Sequence, residues 1–159
     1  MKEAIYYMYR EILLSVWDAI IKRDKYKKYY SNILTLEQDI NNLEPKFSKI
    51  LKVDFDIKFY EELYNEIYFH SFLGDCIYNA KSDFEDRGIE TGKRDNAYDY
   101  PSKELAVPIT GLDNYYLGFN SYFGGGRYDD ESWRPDITES CYLLTARDEV
   151  KTIKVFEKC

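Results

Sequence analysis

The stretch KEAIYYMYREILLSVWDAIIKR, residues 2–23, decides the fold because it carries an unbroken helical pattern. Its apolar residues recur at three- and four-residue intervals, which places them along one side of an α-helix. They are Ile5, Met8, Tyr9, Ile12, Leu13, Val16, Ala19 and Ile20. A helix with one apolar side must bury that side against other elements. The stretch therefore predicts an N-terminal helix that packs against the rest of the fold.

Two further helices are expected to follow the first. The same period recurs over about residues 25–43 and is expected to end at Pro45, which cannot donate a backbone hydrogen bond. It recurs again over about residues 57–72, where Asp56 is placed to cap the first turn and Gly74 to terminate the last. The first part of the chain is therefore predicted to be helical.

The middle of the chain has little periodicity. Residues 83–100 are rich in charge, and we expect an exposed loop there with one short element. Residues 102–107 are expected to form a helical turn that Pro108 stops. Residues 115–123 alternate loosely and are rich in β-forming side chains, which predicts a strand.

The end of the chain predicts strands. Residues 141–146 and 152–157 are rich in β-branched and aromatic side chains, and we expect them to pair as a hairpin. The fold class predicted is α+β, with about three N-terminal helices packed on a small C-terminal antiparallel sheet. One globular domain, residues 1–159, is expected, helical over about residues 1–73 and rich in loops and strands over about residues 74–159.

Aromatic residues and acidic charge dominate the composition. The chain has 17 Tyr, 9 Phe and 2 Trp among 159 residues, and its net charge is −7. The acid excess is local, because residues 1–56 carry net charge +1 and residues 57–159 carry −8. A nucleic-acid reader usually has the opposite sign of charge, so nucleic acid is not an expected partner. No apolar run approaches the roughly 20 residues of a membrane span, and no signal peptide is recognisable, so we expect a cytoplasmic protein without a membrane partner.

The residues that usually carry chemistry are few. Cys76, Cys141 and Cys159 are widely spaced and odd in number, which argues against a disulfide framework and against a zinc site. We expect Cys76 and Cys141 to be buried thiols. His70 is the single imidazole, and it is interpreted either as a general base or as a packed or helix-terminal polar residue. No cofactor and no metal are expected.

The densest acidic run is Asp129-Asp130-Glu131, which follows three glycines. Three interpretations remain open: a divalent cation site, a solvated loop, or an acidic docking surface. The spacing of a calcium-binding loop is absent. Tyr122, Tyr128 and Trp133 flank the run, and aromatic anchors with charged rims are typical of strong protein interfaces.

In size, acidity and aromatic content, and above all in the segment from Tyr122 to Glu139, the chain resembles bacterial immunity proteins. These belong to contact-dependent growth inhibition and related polymorphic toxin systems. The resemblance implies that the chain neutralises a basic partner, a cognate toxin domain such as a nuclease, by covering its active site or by binding nearby. It implies a monomer when free. The candidate partner-binding residues are Tyr122, Tyr128, Asp129, Asp130, Glu131, Trp133, Asp136 and Glu139.

Two other classes of protein remain open. The first is a small hydrolase or transferase that uses carboxylates, tyrosine and His70, and loss of activity with retained fold in a His70→Ala variant would favour it. The second is a structural or regulatory subunit, whose sign would be a stable homo-oligomer without a charge-sensitive ligand.

Overall fold

A computed structural model describes residues 2–22, 24, 27–29, 33–52, 55–95, 101–124, 132–135 and 141–158. Four α-helices and five β-strands lie in these ranges. The helices are α1 Lys2–Ile21, α2 Ile33–Ile50, α3 Ile57–Tyr68 and α4 Ser71–Arg87. The strands are β1 Ile89–Asp95, β2 Ser102–Pro108, β3 Tyr115–Gly124, β4 Ser132–Pro135 and β5 Tyr142–Thr145. The helices precede the strands along the chain, as the α+β prediction required, with one helix more than expected.

The sheet is antiparallel in every pairing described. β1, β2 and β3 lie side by side in chain order. β4 and β5 both pair with the remaining side of β3, β4 with its last residues and β5 with its first. Residues Tyr115–Gly124 therefore form the central strand, in agreement with the strand predicted over 115–123.

Helix α1 lies at the centre of the core. Ile12, Leu13 and Val16 are fully buried, and α1 packs against the other three helices and against β3 and β5. The Trp17 ring stacks on Phe47 of α2, with ring centroids 5.0 Å apart. Although α1 is the longest helix, no helix in the described ranges is long and apolar enough to cross a membrane.

Helix α2 differs from its prediction at both ends. It begins at Ile33, after a 3₁₀ turn at Lys27–Tyr29, and it continues through Pro45 to Ile50. The expectation that Pro45 ends the helix is wrong. Phe47 and Ile50 lie beyond the proline and are almost fully buried, so their packing outweighs the loss of one backbone hydrogen bond.

The expectation that Gly74 terminates a helix is also wrong. Asp56 does cap α3, since its side chain accepts a hydrogen bond from the Phe59 N–H at 3.3 Å. The helix nevertheless ends at Tyr68, and Gly74 belongs to α4, which begins at Ser71. A Cβ at Gly74 would lie 2.6 Å from the Tyr68 carbonyl oxygen, so the glycine permits a tight corner between the two helices.

Helix α4 and the first two strands replace the predicted loop and helical turn. Residues 83–87 are the last turn of α4, residues 89–95 are β1, and residues 102–108 are β2. β2 is buried from Lys103 to Val107, so its two faces do not alternate in polarity. A strand covered on both faces lacks the period-2 pattern by which strands are recognised.

The predicted C-terminal hairpin is half right. β5 covers Tyr142–Thr145, but its partner is β3 rather than a following strand. Residues 146–158 are exposed and form no strand. The expected pairing of 141–146 with 152–157 is therefore wrong, because β5 pairs with β3, where Leu143 packs partly buried against the core.

Two polar contacts, one of a buried carboxylate and one of a partly buried carboxylate, join the helical layer to the sheet. Glu11 of α1 is 1% exposed, and its carboxylate accepts hydrogen bonds from the Thr110 N–H at 2.7 Å and the Thr110 hydroxyl at 3.0 Å. Glu85 of α4 accepts a hydrogen bond from the Ser121 hydroxyl at 2.7 Å and lies 2.6 Å from the Lys103 ammonium. A buried carboxylate needs such partners to offset the loss of its hydration.

We predict that Glu11→Ala lowers the free energy of unfolding by about 2–4 kcal/mol, because it leaves the Thr110 N–H without its buried acceptor. Glu11→Gln retains one acceptor oxygen and is expected to cost less. Urea denaturation measures both, with Glu3→Ala on the exposed side of α1 as the control. An Ala variant as stable as the control would contradict this role of Glu11.

Candidate functional site

The sheet has an inner face towards the helices and an outer face. Phe119 of β3 lies on the inner face, where its ring centroid is 5.9 Å from that of Phe84. Side chains alternate along a strand, so Tyr116 and Tyr122 belong to the outer face. Tyr122, a predicted anchor, is 38% exposed there.

Tyr122 lies in a row of residues that crosses four strands. The backbone register pairs Asp95 of β1 with Ser102 of β2, Ser102 with Tyr122 of β3, and Tyr122 with Arg134 of β4. We call this the loop end of the sheet. Residues 96–101 join β1 to β2 at this end, and residues 125–131 join β3 to β4.

The remaining predicted site residues fall beside or outside this row. Trp133 is paired with Phe123 in the backbone register of β3 and β4. Six predicted residues lie outside the described part of the chain: Tyr128, Asp129, Asp130, Glu131, Asp136 and Glu139. The structure thus describes the strand ends on either side of Tyr128–Glu131. The binding role of the acidic run itself stays a prediction.

A buried carboxylate lies on the outer face next to the loop end. Glu104 of β2 accepts a hydrogen bond from the Thr91 hydroxyl at 2.6 Å and another from the Tyr142 hydroxyl. The Lys93 ammonium is 3.9 Å from the same carboxylate. These contacts connect β1, β2 and β5 across the outer face.

The pKa values of this pair are shifted by burial and by mutual contact. Burial raises the pKa of the Glu104 carboxyl, but the hydrogen bonds from Thr91 and Tyr142 and the charge of Lys93 outweigh burial and hold that pKa below its usual range. Burial, followed by the hydrogen bond to Glu104, raises the pKa of Tyr142. Glu104 is therefore an ionised acceptor, unsuited to act as a general acid near neutral pH.

Gly118 leaves room for the Tyr142 side chain to extend over β3 to Glu104. Tyr142 is paired with Gly118 across β3 and β5, and the side chains of Tyr142 and Leu144 lie over that glycine. A Cβ at position 118 would lie 2.8 Å from Leu144 Cδ1 and would also meet the Tyr142 ring. The missing side chain lets the Tyr142 ring cross β3 towards Glu104.

The helices present a second aromatic surface, which the sequence pattern assigned in part to the core. Tyr68, Phe69 and Tyr78 are exposed on the hairpin of α3 and α4, Phe69 to 83%. The Lys81 ammonium lies 5.8 Å from the ring centroid of Tyr64 and 6.0 Å from that of Tyr68. Distances of this size allow cation–π attraction, so these rings already attract an ammonium group.

The helical hairpin is also acidic. Residues 57–87 contain seven acids and three cations, a net charge of −4. Asp83 and Asp86 of α4 line a cleft of about 340 Å³ together with Asp18 of α1 and Arg87. The buried Glu11 lines the same cleft but is engaged by Thr110. Part of the acid excess of residues 57–159 therefore lies on the described surface of α3 and α4.

His70 joins two helices. It lies just beyond the C-terminus of α3, where its N–H donates a hydrogen bond to the Ile67 carbonyl at 3.1 Å, and it directly precedes α4. Its Nε2 lies 3.1 Å from the Asp39 carboxylate of α2. The contact holds α2 against the corner between α3 and α4, which favours the packed polar residue over the general base.

The thiols and acids of the described residues are placed for packing. Cys76 and Cys141 are buried and free, as predicted, and Cys159 lies outside the described residues. Burial, with a smaller contribution from the Asp75 charge, raises the pKa of Cys76 to about 12, so its thiol is protonated at neutral pH. No group of three or more histidine, cysteine or acidic residues in the described ranges is arranged to hold a metal ion.

Comparison of this chain with protein-family models, with curated proteins and with solved structures finds no match in any of the three. The residues and their geometry are therefore the basis on which a function is inferred. The described candidates are the loop end with Tyr122 and the aromatic surface of α3 and α4.

We predict that Tyr142→Phe destabilises the chain by about 1 kcal/mol at neutral pH, since it removes a charge-assisted hydrogen bond to Glu104. A carboxylate with a lowered folded pKa contributes stability above its ordinary pKa of 4.5, and that contribution disappears as pH falls through the folded value. The difference between wild type and variant should therefore shrink below about pH 4.5. Denaturation over a pH series measures it, with the exposed Tyr115→Phe as the matched control; a difference independent of pH would contradict the ionised state of Glu104.

Proposed function

We propose that this chain is a binding protein for a basic protein partner, and that it acts as an immunity protein that covers the active site of a cognate toxin domain. Its loop end would supply the contact surface. Tyr122 and the predicted residues of 128–139 would carry that contact. A nuclease is the kind of toxin that such an acidic surface suits, since proteins that act on nucleic acids are commonly basic.

The observation that carries the proposal is the register across the loop end. Asp95, Ser102 and Tyr122 lie side by side on adjacent strands, so the end of β1, the start of β2 and the end of β3 lie at one end of the sheet. In the sequence, residues 96–100 and 125–131 are attached to these strand ends. Each segment combines tyrosine with acid: NAYDY in the first and GGRYDDE in the second. Sequence alone treated these as separate loops, whereas the register supports one combined surface.

The described charge supports a basic partner. The hairpin of α3 and α4 has a net charge of −4, and the acidic cleft beside Asp83 and Asp86 adds concave surface of the same sign. An acidic field accelerates the encounter with a cationic protein, and aromatic residues buried at the contact then slow its release. The acids would thus speed association with the partner, and the tyrosines would lengthen the lifetime of the complex.

Occlusion of an active site does not require chemistry by the inhibitor. An immunity protein must fold stably and present a fixed surface. The buried contacts of Glu11, Glu85 and Glu104 supply such rigidity, because each joins separate elements. Since strands hold Tyr122 in register, little ordering entropy is expected to be lost at that residue on binding.

We predict that the triple variant Asp129→Lys, Asp130→Lys, Glu131→Lys slows association with the partner by about 10- to 1000-fold, because steering depends on the acidic field. The partner is to be identified first, by capture on the wild-type chain followed by mass spectrometry, and its basic domain is then used in the binding measurement. Surface plasmon resonance over a salt series measures the rate, and thermal unfolding checks that the domain remains folded.

The matched control reverses three exposed acids away from the loop end: Glu3→Lys, Glu44→Lys and Asp113→Lys. It changes net charge by the same amount. A slower association seen only in the first variant would therefore be due to the loop end and not to total charge. Equal losses in the two variants, or unchanged association and salt dependence in the first, would remove the loop end as the binding surface.

A further inference from the structure

Four aromatic rings follow one another from α1 to the end of α3. The Tyr9 ring of α1 lies 4.9 Å from that of Tyr64, measured between centroids. The Tyr64 and Tyr68 rings are nearly parallel, 6.0 Å apart with 14° between their planes, and the Phe69 ring lies nearly perpendicular to Tyr68 at 5.7 Å. Tyr9 and Tyr64 are partly buried, whereas Tyr68 is 52% exposed and Phe69 83%. This aromatic row is therefore packed in the fold at Tyr9 and open to solvent at Phe69.

Tyr78 of α4 belongs to the same surface. Gly74 precedes Tyr78 by four residues and Lys81 follows it by three, so the three residues share one face of α4. That face meets Tyr68, because a Cβ at Gly74 would lie 2.6 Å from the Tyr68 carbonyl oxygen and the Lys81 ammonium lies 6.0 Å from the Tyr68 ring centroid. Tyr78 lies between these two contacts along the helix and is 73% exposed. Exposed apolar surface gathered in one place is typical of a binding site.

The position of Lys81 indicates which chemical group the rings accept. Its ammonium lies 5.8 Å from the Tyr64 ring centroid and 6.0 Å from that of Tyr68, near the outer limit of about 6 Å for cation–π attraction. An attraction at this limit is weak, so Lys81 can be displaced by a cation that binds the ring faces more closely. Lys81 therefore marks a position for a cation on the two rings.

The charge around the rings favours a basic protein over other molecules. Glu61 precedes Tyr64 by three residues and Asp75 precedes Tyr78 by three, so each of these exposed acids is the helix neighbour of a ring. Residues 57–87 together carry a net charge of −4. This field repels nucleic acid, anionic lipid and a second copy of the chain, whose own net charge is −7. It attracts lysine and arginine side chains, which are also the groups that tyrosine rings bind.

We propose that the aromatic surface of α3 and α4 is a docking site for a basic segment of another protein. A lysine or arginine side chain of that segment takes the place of Lys81 on the Tyr64 and Tyr68 rings. Phe69 and Tyr78 add apolar contact beside it. Cation–π attraction at the rings is thus combined with the steering effect of an acidic field. The site is separate from the loop end, and the inference does not depend on what the loop end binds.

Binding of an octalysine peptide to the full chain tests the site, with NMR of isotope-labelled tyrosine rings as the measurement. The Tyr64 and Tyr68 ring resonances, identified by their loss in Tyr64→Phe and Tyr68→Phe, are expected to shift until the site is saturated and to return as salt is added. Rings that do not shift with octalysine, or that shift equally with octaglutamate, overturn the proposal. The same shifts are expected in the variant Asp129→Lys, Asp130→Lys, Glu131→Lys, so failure of the loop end and failure of this site are distinguishable.

Variants of Tyr68 distinguish binding by a ring from simple apolar contact. Tyr68→Leu keeps an apolar side chain without a ring, and it is expected to weaken octalysine binding about 3- to 10-fold in calorimetry. Tyr68→Phe keeps the ring and should bind nearly as the wild type does. Tyr115→Leu is the matched control, since Tyr115 of β3 is 46% exposed. A loss in Tyr68→Leu no larger than in the control, or an equal loss in Tyr68→Phe, would remove the rings as the binding group.

Removal of Lys81 tests the displacement directly. Lys81→Gln vacates the position on the rings and removes a like charge, so it should bind octalysine at least about twofold more tightly than Lys22→Gln does. Lys22→Gln changes net charge equally, and Lys22 lies thirteen residues beyond Tyr9, about 20 Å along the axis of α1. Equal affinity in the two variants would contradict a cation position on the rings.

Two further measurements check the state of the chain. Thermal unfolding must show that each variant is folded, and Tyr68→Phe serves in place of any Tyr68→Leu variant that is not, since its ring must still shift binding as the wild type does. Sedimentation velocity is expected to show single chains without peptide. A concentration-dependent dimer that Tyr68→Leu abolishes would make a second copy the occupant of this surface and overturn the proposal.

Discussion

The contact between Glu11 and Thr110 fixes how the helices lie on the sheet. Glu11 is on the central helix, and Thr110 is in the turn between β2 and β3, so two hydrogen bonds hold one end of the sheet to α1. The Arg10 guanidinium adds a third, which it donates to the Thr110 carbonyl at 2.7 Å. Because β2 and β3 run away from that turn, their other ends form the loop end. The end of the sheet that α1 holds is thus opposite the loop end.

Local signals predicted the elements whose causes are local. The period of α1, the cap at Asp56 and the strand over 115–123 depend on residues close in sequence, and the structure contains all three. Long-range contacts decide the others. Pro45 stays within a helix because Phe47 packs on Trp17, a residue of another helix. β2 lacks alternation because distant groups satisfy its buried charges, as Tyr142 does for Glu104. No pattern within residues 102–108 could reveal those partners.

For the candidate site, too, the sequence indicated some of the exposed aromatic residues and missed others. Composition selected Tyr122 as an anchor; the structure places it on the outer face with 38% of it exposed, and its contact with a partner stays a prediction. The aromatic surface of α3 and α4 was missed because Tyr68 continues the apolar period of α3. The period states which side of a helix is apolar, but it cannot state how far the neighbouring helix covers that side. Ile67 of the same turn is fully buried, whereas the Tyr68 ring is 52% exposed.

Charge alone cannot select a partner for this chain. An acidic field attracts any cationic protein, so it sets the rate of encounter and leaves identity to geometry. One geometry here is specific: the register places Tyr122 of β3 between Ser102 of β2 and Arg134 of β4, with Asp95 of β1 next to Ser102. The same field repels a second copy of this acidic chain, so a basic partner bound at the loop end would be recognised by the aligned strand ends and not by net charge.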